Sequence, residues 1–451
     1  MATTYLSKTQ IAGTSTRKMT ISAWVKRSGL VGYAKGAIWS MGSDSSNFIE
    51  LQFNDADRLE LKAKNSGSYV MRKATNALYR DTSAWYHIVV GIDSDQSTPA
   101  DRNKIYINGV QYAGTWDTDT DATVNTDFKM NSTSEDARCG RDYMSGAAVY
   151  FDGDMAHVHY IDGTQYAASD FGETDSTSGI WVAKTSPSVT YGNNGGFYKF
   201  ASGASGTDSS GNGNTMAVTG TLTNLKDNPD NNFCTMNPLD NYYPGATFSQ
   251  GNNTIVTPAS STYAPTTGTI GLTAGKWYWE VKPTTMSLDE ELTGITSTQC
   301  TSATAQILGY FPNDWAYYAN NGNSYNNNTS TSYGNSYAVN DIIGVALDIT
   351  NSKLYFAKNG TWQNSGVPTS GATGTGAISI TAVASTPLEA YFPAQTYWQS
   401  ASNTVSVNFG NGYFGTTVAG TETDDAGIGL FKYDVPAGYY AICTNNLGDQ
   451  S

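Results

Sequence analysis

Short segments of alternating apolar and polar residues run along the chain, and turn residues separate them. The clearest are MTISAWVK, FIELQF, LELKAK, WYHIVVGID and KIYINGVQY, and later DIIGVALDIT and KLYFAKNGTWQ. Alternation with a period of two is typical of strands that bury one face, and helical periodicity is almost absent. The pattern therefore predicts an all-β protein.

Two distant stretches carry the same hairpin signal. Asn108-Gly109 lies between two alternating runs, and Asn359-Gly360 occupies the corresponding place in the later part. Asn-Gly between strands favours a tight type I′ turn, because both residues tolerate positive φ. Each hairpin follows an apolar strand that ends in an acidic turn. Chain reversals of this kind without helices predict two tandem antiparallel β-sandwiches.

Composition shifts suggest where the sandwiches begin and end. The stretch GFYKFASGASGTDSSGNGNTMAVTG is rich in Gly, Ser and Asn, which is typical of a loop. We expect a first sandwich at 1–185, a linker at 186–230, a second sandwich at 231–416 and a C-terminal docking tail at 417–451. The apolar block AGYYAICT in the tail is expected to dock onto a neighbour or to pair as an added strand.

The net charge and the distribution of charged and apolar residues limit which classes of partner are expected. The chain has 451 residues, 14% charged, with a net charge of −14. A nucleic-acid-binding protein would show a basic patch, and no run of Lys and Arg exists, so we expect no nucleic acid. No stretch approaches the ~20 apolar residues of a membrane span, so no membrane insertion is expected. The first residues, MATTYLSKTQIAGTSTRK, lack the apolar segment of a secretory signal.

The four cysteines, Cys139, Cys234, Cys300 and Cys443, lie far apart in the sequence. No Cys-x-x-Cys pattern occurs. We expect ordinary thiols, as is usual for a protein made in a cytoplasm.

The stretch AGKWYWEVK places three aromatic residues in a row. In a strand, Trp277 and Trp279 face one way while Tyr278 and Glu280 face the other. Two Trp on one face favour core packing over ligand binding, because each buries a large apolar area.

Several of these segments resemble known families. MTISAWVKR, AWYHIVVGIDS and NKIYINGVQ resemble the laminin-G/concanavalin-A-like jelly roll over roughly 1–185. GKWYWEVK, DIIGVALDIT, KLYFAKNGTW and VSVNFG resemble a SPRY domain over roughly 231–416. MAHVHYIDGTQYAASDFGETDSTSGIW and GLFKYDVPAGYYAICTNNL are similar to segments of structural proteins of tailed bacteriophages, particularly marine ones. The resemblance implies a virion component: an exposed tail fibre, appendage or decoration, made in the host cytoplasm and released by lysis.

The segment 309–337, GYFPNDWAYYANNGNSYNNNTSTSYGNSY, mixes aromatic residues with Asn, Ser and Gly. Rigid aromatic side chains beside adaptable amides resemble the composition of antibody paratopes, and partners of SPRY domains bind at loops. A well-solvated inert loop is the alternative. The predicted ligand-binding residues are Trp315, Tyr317, Tyr318, Tyr325, Tyr333, Asn326 and Asn327.

The stretch WDTDTD offers Asp117, Asp119 and Asp121, which have the spacing that begins an EF-hand. Ala122 and Phe128 stand where Gly and Glu are required, so an EF-hand is excluded. A looser Ca²⁺ site stays open, because laminin-G-like sandwiches often bind Ca²⁺ at one rim; a solvated turn is the alternative. No other cofactor is expected.

The sequence does not contain the motifs of the enzyme classes that we considered. Jelly-roll glycosidases carry a Glu-x-Asp-x-x-Glu strand that FIELQFNDAD does not match, and Glu50 and Glu60 stand on separate predicted strands. No Gly-x-Ser-x-Gly and no phosphate loop occurs. His157 and His159 would share a strand face, but no third metal ligand lies nearby. We therefore expect a protein that is not an enzyme.

These observations predict a virion surface protein whose sandwiches present loops to a host-surface glycan or receptor. Its other partners would be virion proteins and copies of itself, with a homotrimer as the form common among phage appendages. One alternative is a purely architectural virion protein, whose tail would lie buried in a neighbouring subunit. The other is a polysaccharide depolymerase, which would need two close carboxylates in a cleft.

Overall fold

The computed structural model describes residues 3–30, 36–133, 135–143, 149–241, 246–257, 265–287, 289–298, 307–397 and 402–450. The chain divides into two compact units. The first comprises Met1–Asn224 with Asn228–Asp230, and the second comprises Leu225–Asp227 with Asn231–Ser451. Both are built from antiparallel sheets, which confirms the predicted all-β class.

The first unit contains two large sheets and one hairpin. Its strands are β1 Tyr5–Thr9, β2 Lys18–Arg27, β3 Ala37–Asp44, β4 Asn47–Phe53, β5 Leu59–Asn65, β6 Ser68–Thr75, β7 Trp85–Asp93, β8 Asn103–Ile107, β9 Val110–Gln111, β10 Trp116–Thr120, β11 Asp136–Cys139, β12 Gly153–Asp162, β13 Gly172–Thr174, β14 Trp181–Ala183, β15 Gly196–Tyr198 and β16 Ala217–Thr219, with a short helix α1 at Pro99–Arg102. The eight-stranded sheet has the order β10-β6-β5-β4-β3-β11-β1-β16, and the six-stranded sheet has the order β15-β12-β2-β7-β8-β9.

The core of the first unit lies between these two sheets. Alternate residues of each strand point into it, such as Ile49, Leu51 and Phe53 of β4, all at most 1% exposed. A third layer covers the outer face of the six-stranded sheet, where Trp181 of β14 packs on Trp24 and Trp85. Both faces of the central strands are therefore buried.

The second unit is a further two-sheet sandwich. Its strands are β17 Met236–Asn241, β18 Thr247–Ser249, β19 Thr254–Thr257, β20 Thr266–Gly268, β21 Lys276–Thr285, β22 Glu291–Thr296, β23 Asp314–Tyr318, β24 Asn323–Asn326, β25 Thr329–Ser332, β26 Ile343–Asp348, β27 Lys353–Lys358, β28 Thr361–Trp362, β29 Ile378–Ser379, β30 Phe392–Tyr397, β31 Asn403–Asn408, β32 Tyr413–Phe414, β33 Thr417–Val418, β34 Glu422–Thr423 and β35 Leu430–Phe431, with the helix α2 at Thr444–Asp449. The seven-stranded sheet has the order β17-β20-β30-β22-β23-β24-β25; the other sheet has the order β18-β19-β31-β21-β26-β27-β28, with β29 paired to β27. Short 3-10 turns lie at Ala168–Asp170 in the first unit and at Gln363–Ser365, Pro368–Thr373 and Val383–Ser385 in the second.

Strand β21 contains the aromatic stretch and has the predicted two faces. Trp277 and Trp279 lie in the core between the sheets, at most 1% exposed. Tyr278 points to the opposite face, where it packs against Phe431 and Tyr439 of the C-terminal segment. The core interpretation of the two tryptophans is therefore confirmed.

Both predicted Asn-Gly turns are present, with positive φ at Asn108, Gly109, Asn359 and Gly360. The Asn108 side-chain oxygen accepts the backbone N–H of His87 at 2.8 Å. The Asn359 side-chain oxygen accepts the backbone N–H of Ile342 at 2.8 Å in the same way. Each unit thus uses its turn asparagine to tie the hairpin to the beginning of a neighbouring strand.

The predicted linker at 186–230 is wrong for most of its length. Strand β15 lies in this segment and pairs with β12, and β16 pairs with β1, so both complete sheets of the first unit. Glycine and asparagine in this segment form turns between short strands, and the Asn214 amide donates to two backbone carbonyls at 2.8 Å. The boundary between units falls at 224–231 instead.

The segment predicted as a docking tail belongs to the second unit. The backbone of Tyr278 donates to the Tyr440 carbonyl at 2.9 Å, and Tyr440 donates to Lys276 at 3.1 Å, which adds a short parallel bridge to β21. Phe431, Tyr439, Ala441 and Cys443 are fully buried. The tail therefore pairs as added structure and covers an outer sheet face of its own unit. Cys139, Cys234 and Cys443 are free thiols as expected, and Cys300 lies outside the described residues.

We predict that Trp279→Ala destabilises the second unit by about 3–5 kcal/mol, because the substitution opens a large cavity in a packed core. Chemical denaturation followed by tryptophan fluorescence measures the free energy of unfolding. The control is Val367→Ala, at a side chain 44% exposed, which should change stability by less than about 0.5 kcal/mol. Equal effects of the two substitutions would contradict the packing described for β21.

Candidate functional site

The segment 309–337, predicted as one loop, is largely a strand meander. Strands β23, β24 and β25 are consecutive neighbours in the seven-stranded sheet. Tyr325 pairs with Ala316 across β23 and β24, and with Ser330 across β24 and β25. Their alternating side chains therefore face either the core or the outer face of that sheet.

Three of the predicted binding aromatics lie in the core. Trp315, Tyr317 and Tyr333 are 4%, 0% and 7% exposed, and Tyr317 stacks on Phe356 with centroids 5.2 Å apart. A sugar ring cannot reach these faces. The prediction that these three residues bind a ligand is wrong, because their side chains are buried in the core between the sheets.

The other two predicted aromatics face outward but are covered. Tyr318 is 7% exposed and packs with Leu292 and Leu308. Its hydroxyl donates to the Glu290 carboxylate. Tyr325 is half-buried and meets Tyr318 edge to face at 5.3 Å. Tyr318 is therefore excluded as a contact surface, and Tyr325 acts mainly as a support.

The predicted asparagines do lie at the surface, in the turn between β24 and β25. The Asn326 amide donates to the carbonyls of Pro312 at 2.9 Å and Asp314 at 2.8 Å, so it is structural. Asn327 and Asn328 have φ of 50° and 55°, as a type I′ turn requires. Within the described residues the side-chain amides of Asn327 and Asn328 make no hydrogen bond, and both residues are exposed.

An aromatic residue outside the predicted set stands beside this turn. Phe311 is 37% exposed and contacts Tyr310 edge to face at 5.2 Å. The Asn327 N–H donates to the Phe311 carbonyl at 3.3 Å, and the Asn328 N–H donates to Gly309 at 3.0 Å. We name Tyr310, Phe311, Asn327 and Asn328 the turn patch. Phe311 stands outside the alternation of Trp315 and Tyr317 and directly before a proline, which is the signal that could have identified it.

The three aspartates of WDTDTD do not form a calcium site. The Lys73 ammonium contacts the Asp119 carboxylate and lies 2.8 Å from an Asp121 oxygen, and Arg58 lies 3.4 Å from Asp117. All three carboxylates are therefore already paired with the protein's own cations. In the part of the chain that the structure describes, no three His, Cys, Asp or Glu side chains are placed to hold a metal ion.

The histidines are structural. His159 stacks on Phe197 with centroids 3.9 Å apart, while His157 lies at a register shift of β12 with φ of 46°. Burial lowers the pKa of His87 to about 3, so its ring is neutral.

His87 also lies beside a serine, in a geometry that does not suit catalysis. The Trp181 indole, which can only donate, bonds His87 Nδ1 at 2.9 Å. The ring proton therefore sits on Nε2, which donates to Ser22 Oγ at 2.9 Å. A general base would have to accept the serine proton at Nε2, so this pair is not an activated nucleophile.

The two carboxylates considered for hydrolysis are brought together on the outer face of the eight-stranded sheet. Lys62 Nζ lies 3.2 Å from Glu50 and 3.6 Å from Glu60, and Arg72 Nε lies 2.7 Å from Glu60. Burial raises the pKa of Glu50. Glu50 and Glu60 are each 1% exposed, and the buried Lys62 lies between them. A glycosidase would need its two carboxylates in an open cleft, so this arrangement does not suit hydrolysis.

A buried carboxylate joins the C-terminal segment to the second sandwich. Glu280 accepts the backbone N–H groups of Lys432 and Tyr433 at 2.9 Å. It is 0% exposed, and burial raises its pKa to about 7, against the opposing effect of these donors. Glu291, equally buried, has its pKa raised to about 8 by burial.

Two protein-family models match the chain, one within each of the two units. The model of the Concanavalin A-like lectin/glucanases superfamily (Laminin_G_3) matches residues 2–169. The SPRY domain model matches residues 276–395. The chain therefore carries a concanavalin A-like domain followed by a SPRY domain, as its motifs suggested. No curated protein matches the sequence.

Solved SPRY structures are similar to part of the chain. The SPRY domain of human HERC1 is 15% identical, with a TM-score of 0.30, over 38% of this chain and 96% of that one. A human SPRY domain is 18% identical, with a TM-score of 0.28, over 36% and 93%. The TRIM65 PSpry domain is 14% identical, with a TM-score of 0.29, over 39% and 91%. No ligand or partner follows from a likeness at these values.

None of the helices in the described ranges is long and apolar enough to cross a bilayer.

We predict that Ca²⁺ does not stabilise the wild-type protein, because Lys73 already neutralises Asp119 and Asp121. A ligand that binds only the folded state raises its stability by mass action. Differential scanning fluorimetry in millimolar CaCl₂ and in chelator should therefore give the same melting temperature. A higher melting temperature in CaCl₂ would contradict this assignment.

We predict that the second unit becomes less stable as pH rises from about 4.5 to 7, because the folded pKa of Glu280 lies above its unfolded value. The folded state then binds more protons than the unfolded state, so the stabilisation that Glu280 contributes is complete below pH 4.5 and is lost as pH rises through 7, and Glu280 alone accounts for about 3 kcal/mol of the loss. Chemical denaturation across this range measures the loss.

The matched variant is Glu280→Gln, which cannot ionise and should show a smaller loss across the same range. Glu291→Gln should also reduce the loss, with its effect extending to about pH 8. The same pH slope in wild type and both variants would contradict the assignment.

Proposed function

We propose that this chain is a non-enzymatic surface component of a phage virion, such as a tail fibre, appendage or decoration, that binds a host-surface glycan through the turn patch of its SPRY domain. The observation that carries the proposal is the exposed Phe311 ring beside two asparagines whose amides are free to bind a ligand. Aromatic faces suit the apolar faces of sugar rings, and amides suit sugar hydroxyls.

The turn patch is held in place before any ligand arrives. Backbone hydrogen bonds from Asn327 and Asn328 join the turn to the segment that contains Phe311. The Asn326 amide ties the same segment from the other side through Pro312. A rigid patch loses little conformational entropy on binding, which favours affinity.

The contact area of one patch is small, so binding at a single copy would be weak. A homo-oligomeric virion protein would offer several patches at once, and a trimer is the arrangement we propose. Avidity of this kind adds a factor of about 10²–10⁴ over a single site. The proposal therefore requires multivalent display on the virion.

We propose no catalytic activity for this protein because of two arrangements of side chains in the first unit. The Ser22–His87 pair has its ring proton on the wrong nitrogen for base catalysis. Glu50 and Glu60 are buried and joined by Lys62. Neither observation supports a depolymerase.

The architectural alternative expected the tail to be buried in a neighbouring subunit. The apolar residues of the tail instead pack on their own domain. The position of the tail therefore does not favour a purely architectural role. Binding to other virion proteins remains part of the proposal, because a surface component must attach to the particle.

We predict that Phe311→Ala weakens binding to host cells and to their extracted surface polysaccharide by about five- to tenfold per site, the expected loss for part of one aromatic contact. Purified protein is titrated on cells and on immobilised polysaccharide. The control is Val367→Ala, which removes a similarly exposed apolar side chain from the same domain.

Substitution of Trp315 or Tyr317 would be a poor test, because loss of folding would mimic loss of binding. Retained binding by a folded Phe311→Ala protein would remove the turn patch from the proposal. No binding by folded, oligomeric wild-type protein would favour the architectural role.

A further inference from the structure

Three ionisable side chains are enclosed together on the outer face of the eight-stranded sheet. Glu50 of β4 and both Glu60 and Lys62 of β5 are at most 2% exposed. Glu50 and Lys62 are directly opposite each other across the two strands. Charges in such a place are costly, because each ion loses its hydration. The enclosure therefore favours the form of these groups that carries the least charge.

The segment that follows β11 crosses this face and fixes one oxygen of Glu50. The Ser40 hydroxyl donates to the Arg141 carbonyl at 2.6 Å, and the Tyr143 N–H donates to Glu50 Oε2 at 3.1 Å. The other oxygen, Glu50 Oε1, makes no hydrogen bond among the described residues, although Lys62 Nζ lies 3.2 Å from it. One oxygen of Glu50 thus has a fixed backbone donor, and the other faces an amine.

The two glutamates have different surroundings. Glu60 accepts a hydrogen bond from Arg72 Nε at 2.7 Å and another from Gln52 Nε2 at 2.7 Å. Donors of this kind, a guanidinium above all, favour the carboxylate form. At Glu50, burial raises the pKa, against the opposing effect of Lys62. The contacts therefore favour a protonated Glu50 beside an ionised Glu60.

We propose that Lys62 and Glu50 join in an isopeptide bond, an amide between their side chains that forms within the folded chain with loss of one water. A proton first moves from Lys62 Nζ to Glu50 Oε1, 3.2 Å away, which leaves a neutral amine beside a neutral carboxylic acid. The amine then attacks Glu50 Cδ, and the C–N bond forms. The Tyr143 N–H stabilises the negative charge that develops on Oε2.

Glu60 carries the proton that the reaction must move. The attack leaves the nitrogen positively charged, and the Glu60 carboxylate, 3.6 Å from Lys62 Nζ, accepts a proton from it. Glu60 then gives this proton to the Oε1 hydroxyl, the C–O bond of Glu50 breaks, and water leaves. Glu60 is again a carboxylate, so no co-reactant is consumed. The reaction occurs once in each chain, and its neutral amide replaces two buried charges.

A second lysine in the same unit provides an internal comparison. Lys73 contacts Asp119 and Asp121, whose side chains are 50% and 26% exposed. Water reaches these carboxylates and favours the ionised pair, so we expect this contact to remain a salt bridge. The proposed isopeptide bond is also independent of the turn patch, because it lies in the other unit and involves no ligand.

The test is the mass of the intact, denatured full chain, which should be lower than the mass of its sequence by one water. Trypsin then locates the bond. Cleavage after Lys62 should be blocked, so the peptide 59–64 stays attached to the peptide 36–58 that contains Glu50. This linked species has the same mass as the linear peptide 36–64. Fragment spectra must therefore show two N-termini.

Three variants, each checked for folding by circular dichroism, assign the roles. Lys62→Arg keeps the positive charge but has no amine to react, so it should have the full mass of its sequence. Glu60→Gln removes the proton carrier and should slow formation of the bond by about tenfold or more, as loss of a general base usually does. Asp121→Asn is the matched control at the other lysine and should keep the loss of one water.

Folded wild-type protein with the full mass of its sequence would overturn the proposal. Loss of one water in Lys62→Arg would also overturn it, because the dehydration would then lie elsewhere in the chain. Formation of the bond in Glu60→Gln as fast as in Asp121→Asn would overturn the role of Glu60. Phe311→Ala should leave the mass deficit of one water unchanged, so failure of the turn patch and failure of the isopeptide bond are separately visible.

Discussion

Strand geometry places side chains on two faces, and in this protein both faces of the central strands are covered. In β21 the two tryptophans fill the sandwich core, while Tyr278 and Glu280 are sealed by the C-terminal segment. In the first unit Trp181 and its hairpin cover the outer face of the six-stranded sheet. In each unit an extra layer therefore covers the outer face of one sheet, so the described residues of that face are not available to partners.

Much of the fold could be predicted from the sequence, because period-two alternation and Asn-Gly turns are local properties. The all-β class and both Asn-Gly hairpins follow from these local patterns, whereas the predicted bounds of the sandwiches differ from the two units. The prediction for 186–230 is wrong because short strands rich in Gly and Asn have the composition of a loop. Pairing of β15 and β16 with distant strands decides their structure, and no local pattern reports that pairing.

The candidate site was harder to predict than the fold. Trp315, Tyr317 and Tyr333 have the residue types of a binding surface, but their exposure depends on which strands lie beside them. The aspartates of WDTDTD likewise resemble metal ligands until Lys73, more than forty positions earlier in the chain, is placed among them. Residue type indicates what a side chain can do, and tertiary packing determines whether it is accessible.

Strand β25 tolerates sequence change because of its position at the edge of its sheet. Strand β25, Thr329–Ser332, is exposed along its whole length and contributes nothing to the core. Substitutions in β25 meet few packing constraints, unlike substitutions in β21 or β23, whereas Asn327 and Asn328 are restricted by the positive φ of their turn. Strand β25 can therefore accumulate sequence changes at little loss of stability, so among related chains this edge should vary more than the strands that fill the core.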